Sequence, residues 1–315
     1  MELYACYNKN EKVRLESSSG GVFSLIASDV ISQGGVVYAV IYNERHEAEY
    51  ARISKIEDLQ KSYGSKYVQA KLNNTFRNIR NDIENCVLVL FVGTPCCCSG
   101  LLKFLGDDRK HLICVDFACH GVPSVKIWRR YVDTILGKGM EIDSINMRSK
   151  MYGWKDYGMR ITFKDGTNIQ ESKKENAYLR GFLRDLYLRP SCYDCTIKGL
   201  DRITDITIGD YWGIKEADFE NGWENGVSFI IIHTSLGKRV FERISKFLLI
   251  SVISEDDVNR KNSGLVRSAT LKKDREIFYR KFFRGDDLKH IIYDLTGKTF
   301  MSKIKKKIHF LIYKE

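Results

Sequence analysis

Cys192 and Cys195 form a C-x-x-C pair in Arg189-Pro190-Ser191-Cys192-Tyr193-Asp194-Cys195. Two thiolates at that spacing can hold one metal centre from a single loop. Cys96 follows Gly93-Thr94-Pro95, and Cys119 opens Cys119-His120-Gly121-Val122-Pro123, so two further loops offer one thiolate each. The chain has nine cysteines but only three prolines, and every proline stands in one of these loops. Average usage would give about fifteen prolines, so background composition does not place them there. Structural zinc usually takes two close pairs. Here one pair joins two scattered single ligands, a layout and a proline habit that iron–sulfur clusters accept. Unrelated buried thiols are the alternative. A thioredoxin-like redox pair should open a helix after a strand, and this one follows a helix. Cys97 and Cys98 compete with Cys96, and His120 reads as a donor to a ligand sulfur rather than a ligand. Cys86 and Cys114 lie in apolar runs and read as core, while Cys6 carries no motif.

A second kind of chemistry sits in Ser17-Ser18-Ser19-Gly20-Gly21, ahead of the helical stripe Val22, Phe23, Ile26 and Val30. Small residues at a helix start leave amides free for an anion, or serve only as a cap.

The elements that must position these loops alternate. Val36 to Tyr42 reads as a strand, and Val87 to Val92 as a strand buried on both faces. A short helix with Leu101, Leu102 and Leu105 follows, then a strand from His111 to Phe117. Cys86 to Cys119 spans 34 residues, the size of one strand–helix–strand crossover. Cys96 and Cys119 then lie beyond the carboxyl ends of neighbouring parallel strands, where open α/β sheets bind ligands. Asn74 and Ser124 are expected to cap helices. Met159 to Phe163 followed by Lys164-Asp165-Gly166-Thr167 is a hairpin signal. A short strand with a polar turn is expected within Asp205 to Gly213, another strand at Val227 to His233, and a largely helical, basic pattern from Lys238 on.

The expected fold is a mixed α/β fold. It has a parallel-strand core with cofactor loops at the strand ends, a smaller β-rich middle and a helical C-terminal segment. The regions are 1–140 for the α/β core, 141–240 for the β-rich part with the C-x-x-C loop, and 241–315 for the basic helical segment. At 315 residues, 43% hydrophobic and 29% charged, the chain is globular. No apolar run reaches the ~20 residues of a membrane span, and Met1-Glu2-Leu3-Tyr4 lacks a leader pattern, so a cytoplasmic location with reduced thiols is expected. Net charge is +11, and residues 251–315 hold 16 Lys/Arg against 9 Asp/Glu. The tail around Lys303, Lys305, Lys306 and Lys307 reads as a helix packing on the body, or as one lying peripherally on an anionic membrane. No nucleic-acid motif is present.

Seven motifs in one order resemble a single family. They are Ser17 to Gly21, Ser65-Lys66-Tyr67-Val68, Gly93 to Cys96, Cys119 to Ser124, Lys150 with Gly153-Trp154, Arg189 to Cys195, and Asp205-Ile206-Thr207-Ile208-Gly209-Asp210-Tyr211-Trp212-Gly213. From about residue 13 to about residue 240 the chain resembles the coenzyme F-420 hydrogenase/dehydrogenase beta subunit family. That resemblance implies FAD, a 4Fe-4S cluster and electron transfer between them. It implies cluster ligation by Cys96, Cys119, Cys192 and Cys195, and a flavin lined by Ser18, Ser19, Gly20, Gly21, Ser65, Lys66 and Tyr67. Gly93 and Thr94 would lie between the two, with Lys66 as a phosphate or flavin-carbonyl partner. Lys150 joins the cofactor set, and with Arg148 could hold an acidic second substrate. Trp154, Tyr211 and Trp212 are candidate ring-stacking residues.

Many family members begin with a ferredoxin-like domain, which this chain is expected to lack. Electrons would then come from a separate ferredoxin or other carrier protein, with a deazaflavin or other small molecule as hydride partner. The family's single cysteine in the third loop is here Cys96-Cys97-Cys98. Two other functions stay open: a zinc- or cluster-stabilised scaffold that binds a partner, and an accessory reductase in surface polysaccharide synthesis.

Overall fold

A computed structural model describes residues 1–214, 219 and 222–297. The strands in chain order begin with β1 (Glu2–Asn8), β2 (Val36–Tyr42), β3 (Ala48–Ile53), β4 (Val89–Gly93) and β5 (Leu112–Phe117). It continues with β6 (Ile142–Ser149), β7 (Gly158–Phe163), β8 (Asn168–Ser172), β9 (Ile206–Asp210), β10 (Ser228–Ile232) and β11 (Leu248–Val252). Eight of them form one sheet in the order β11-β1-β10-β9-β5-β4-β2-β3, and β6-β7-β8 form a second. β2, β4, β5 and β9 are parallel, and the flanking strands are antiparallel. This is the expected mixed α/β fold.

Helices cover both faces of the large sheet, which is why its central strands are apolar throughout. Val22–Ser32 and Ser235–Ser245 bury Ile26, Val30, Val240 and Ile244 against Leu90, Ile113 and Ile230. Thr75–Glu84 and Pro95–Leu105 bury Ile79, Ile83, Leu101 and Leu102 against Val89, Phe91 and Cys114 on the other face. Each such side chain contributes about 1.5–3 kcal/mol of burial. The three-stranded sheet packs with Val125–Leu136, Ala177–Leu183, Asp274–Arg284 and Leu288–Thr296 around Trp128, Tyr178 and Phe278.

The crossover from β4 to β5 is parallel, with Gly93 opposite Asp116. The loops that follow these strands therefore open at one sheet edge, as their spacing predicts. The large sheet draws strands from residues 2–117 and 206–252, so all three expected regions contribute to it.

Two expectations need correction. Cys86 is exposed, not core. Its N–H closes the preceding helix on the Ile83 carbonyl, and its backbone is left-handed at φ 59°, so the apolar run enters the sheet only at Val89. The stretch after Lys238 is largely helical as expected, with β11 returning the chain to the sheet edge. Asn74 and Ser124 each precede a helix, but contrary to expectation neither side chain accepts a capping N–H bond. The lysine-rich tail from Lys303 lies outside the described residues. Among the described residues no helix is long and apolar enough to cross a membrane.

Candidate functional site

A cavity of about 1070 Å³ opens at the carboxyl edge of the parallel strands. Val40 of β2, Val92 of β4, Phe117 of β5 and Ile208 of β9 form its floor. Ser17, Ser18 and Ser19 form one wall and Ser65, Lys66 and Tyr67 another. The two loops meet directly, with the Ser18 and Ser65 hydroxyls 2.8 Å apart. Forty-seven residues separate them in sequence, so only the fold joins the two motifs.

The serine loop needs its glycines. A Cβ on Gly20 would lie 2.6 Å from the Cys6 carbonyl and 2.7 Å from the Ser228 amide. Gly21 is left-handed at φ 78° and starts the helix Val22–Ser32 with no side-chain cap. That eleven-residue helix thus presents uncapped amides beside the cavity residues Gly21, Val22 and Phe23.

Arg148 is the hub of the site. Only 3% of its side chain is exposed, on the cavity wall. It donates to Asp210 at 2.7 Å, to the Ser18 carbonyl at 2.9 Å and to the Tyr67 hydroxyl at 3.3 Å. Its guanidinium stacks over Tyr157 at 4.0 Å, and its Nε has no partner. Burial works against its charge, but the Asp210 carboxylate together with Tyr67 and Tyr157 more than offsets that, so the group stays protonated.

Lys66 lines the cavity but turns its ammonium onto the Ser62, Tyr63 and Gly64 carbonyls at 3.0–3.2 Å. Burial draws it from the ordinary 10.5 down to about 7. The unfolded chain therefore holds this proton between pH 7 and 10.5 where the folded chain does not. Stability of the ligand-free protein should rise across that window, and the penalty is fully present below it. Relative to Lys66→Met, wild type should gain about 2 kcal/mol in urea unfolding between pH 7 and pH 9.5. A pH-independent difference would show that Lys66 is not desolvated.

Lys150 is not on the cavity wall. Its ammonium binds the Arg14, Ser19 and Asn225 carbonyls at 2.6–2.7 Å and braces the serine loop from behind. Burial and the Arg148 charge bring it to about 7. Its contact with the cavity is thus indirect, because three backbone carbonyls already take its donors. Gly20 and Gly93 likewise shape the walls without lining them. Trp154 and Tyr211 are buried, Trp154 stacking on Trp212 at 4.8 Å, and of these rings only Trp212 reaches the cavity.

Cys96 and Cys119 stand on the same cavity wall, with the Thr94 hydroxyl 3.3 Å from the Cys96 sulfur. Burial pushes the Cys119 thiol up to about 12; Lys198 opposes this, and Cys96, Cys192 and Cys195 are all near enough to add to it. Burial also raises Cys192, again with Cys96 and Cys195 contributing. The four cysteines are thus neighbours. Among the described residues, no three Cys, His, Asp or Glu side chains converge as a single ion requires. The other two cysteines of the run point elsewhere. Cys98 is buried and donates to the Val115 carbonyl at 3.5 Å, and Cys97 accepts from the Tyr50 hydroxyl at 3.5 Å.

His120 does not serve a sulfur as expected, since its Nε2 faces the Asp185 carboxylate at 2.6 Å. The Val122 N–H takes that place, donating to Cys192 at 3.4 Å. Tyr157, Phe182 and Asn262 to Leu265 also line the cavity, and no motif marked them.

A family model for the coenzyme F420 hydrogenase/dehydrogenase beta subunit N-terminus matches residues 3–77, and one for the C-terminus matches residues 86–257. The chain belongs to this family. Membership gives it an oxidoreductase role. Among solved structures it is similar to a chain of the F420-reducing nickel–iron hydrogenase complex from Methanosarcina barkeri. The TM-score is 0.54 at 12% identity, over 98% of this chain and 91% of that one, which speaks for the fold alone. No curated protein matches.

Proposed function

We propose that this chain is a flavin- and iron–sulfur-dependent oxidoreductase, passing electrons between a reduced carrier, FAD and a 4Fe-4S cluster. The supporting observation is that one cavity has both a helix-start serine loop and two of four neighbouring cysteines on its wall. The residues fit a dinucleotide. The volume is at the upper end for small-ligand sites, the Val22–Ser32 amides are uncapped, and Arg148 Nε is buried and unpartnered. Ser18, Ser19 and Gly21 would hold the pyrophosphate, Ser65 and Tyr67 the opposite side, and Lys66 would supply positive charge.

The donor set fits a cluster. Four thiols that are close but do not converge suit a cube of iron and sulfide between them better than one zinc ion. Cys96, Cys119, Cys192 and Cys195 would ligate it, with Thr94 next to Cys96 on the flavin side. Bound flavin exchanges a hydride with one partner and single electrons with another, which is the chemistry that such a pair supplies. The chain's own work is to orient the dinucleotide and exclude water from the sheet edge. A ferredoxin or other carrier protein, and a deazaflavin-like or other small hydride partner, are the proposed reactants. A zinc-stabilised scaffold leaves the cavity without a role.

Denaturing the anaerobically purified protein and chromatographing the released cofactor should yield FAD, about one per chain. FMN alone, or no flavin after reconstitution, would contradict the reading.

A further inference from the structure

Among the described residues the large sheet has two edge strands, β3 and β11. An edge exposes unpaired N–H and C=O groups, and proteins guard it with charge, proline, bulges or a covering segment. β3 is guarded. It carries Glu49 and Arg52, Arg52 pairs with Asp82 at 2.8 Å, and Lys71 bridges to Glu49. In the smaller sheet, β6 has Asp143, Arg148 and register shifts, and β8 has Glu171. Among the described residues β11 has none of these devices. Leu248-Leu249-Ile250-Ser251-Val252 contains no charge, proline or glycine and pairs with β1 without a shift. Along it Phe247 is 49%, Leu249 44%, Ile250 38% and Val252 80% exposed.

We propose that β11 pairs antiparallel with β11 of a second copy of this chain about a two-fold axis, joining the two large sheets edge to edge. Alternation puts Leu248, Ile250 and Val252 on one face. With the axis at Ile250, that residue meets its own copy, and Val252 meets Leu248. The row on that face then becomes continuous across the junction, through the cross-strand pairs that stabilise sheets.

The flanking charges select a copy rather than an unrelated strand. Exposed Lys246 precedes β11, and exposed Glu255 and Asp256 follow it in the first turn of the helix Glu255–Lys261. In this register Lys246 arrives opposite Ser254 of the second copy, beside its Glu255 and Asp256, and symmetry repeats the match at the other end. A parallel pairing would set Lys246 against itself.

Sedimentation velocity on the full chain, over a concentration series reaching about 100 μM, tests this. Wild type should reach twice the monomer mass. Ile250→Lys sets two ammonium groups against each other on the axis and should raise the dissociation constant at least about tenfold. Val252→Lys, at a site 80% exposed, should do the same and guards against misfolding of the first variant. Lys246→Glu should weaken the dimer, and adding Glu255→Lys with Asp256→Lys should restore it. A wild type that stays monomeric overturns the proposal. So does a dimer indifferent to both lysine substitutions, or a charge swap without rescue.

Discussion

Serine in place of Cys96, Cys119, Cys192 or Cys195 should each abolish bound iron and sulfide, while Cys86→Ser, Cys97→Ser, Cys98→Ser and Cys114→Ser should retain them. The split follows position. The first four are mutual neighbours at the sheet edge. Cys86 is exposed on a turn, Cys98 and Cys114 are buried in the core beneath the helix Pro95–Leu105, and Cys97 faces Tyr50. Within the run, the stiff entry from Pro95 and the exposed setting favour Cys96. Burying a hydroxyl in place of Cys98 or Cys114 costs stability, so those variants melt lower with iron intact. Iron analysis after anaerobic reconstitution separates the outcomes. Loss of iron in Cys98→Ser with retention in Cys96→Ser would mean that the loop register was misread.

Arg148→Met should lower stability by about 3 kcal/mol and empty the proposed flavin site. Removing one partner of a buried ion pair strands the other. Among the described residues the Asp210 side chain would keep only the Trp154 indole N–H at 2.8 Å, and the Ser18 carbonyl and Tyr67 hydroxyl would lose their shared donor. The serine loop and the 65–67 loop would then be tied by little beyond the Ser18–Ser65 contact. Urea unfolding measures the first effect and flavin per chain the second. Arg148→Lys should recover part of the stability but little of the flavin, because a compact ammonium lacks the planar fork that spans Asp210, the Ser18 carbonyl and the Tyr67 hydroxyl.

Much of this site was legible because local pattern and chemistry coincide. A solid apolar strand ending in Gly93-Thr94-Pro95-Cys96, and one crossover later a second ending before Cys119, place both thiols at one edge. The serine loop's glycines mark the close approach to β1 and β10. What sequence reasoning missed depends on distant contacts. Nothing near Asn262 signals that it lines a cavity with Ser17, and nothing near His120 signals Asp185. Lys150 stands in a matching motif, but its role depends on carbonyls contributed by Arg14, Ser19 and Asn225. Cys86 reads as buried because apolar residues follow it, whereas the helix end at Glu84 and the turn after it decide its exposure. β11 was hidden because a five-residue edge strand between helices has too little alternation to declare itself.

The central claim is that one cavity serves a flavin and a neighbouring iron–sulfur cluster, and the visible spectrum of anaerobically purified protein tests it most directly. The expected spectrum has flavin bands on a broad brown absorption, both bleaching on reduction, with about four iron atoms per chain. A colourless protein after reconstitution with iron, sulfide and FAD, or one carrying zinc in their place, would contradict it.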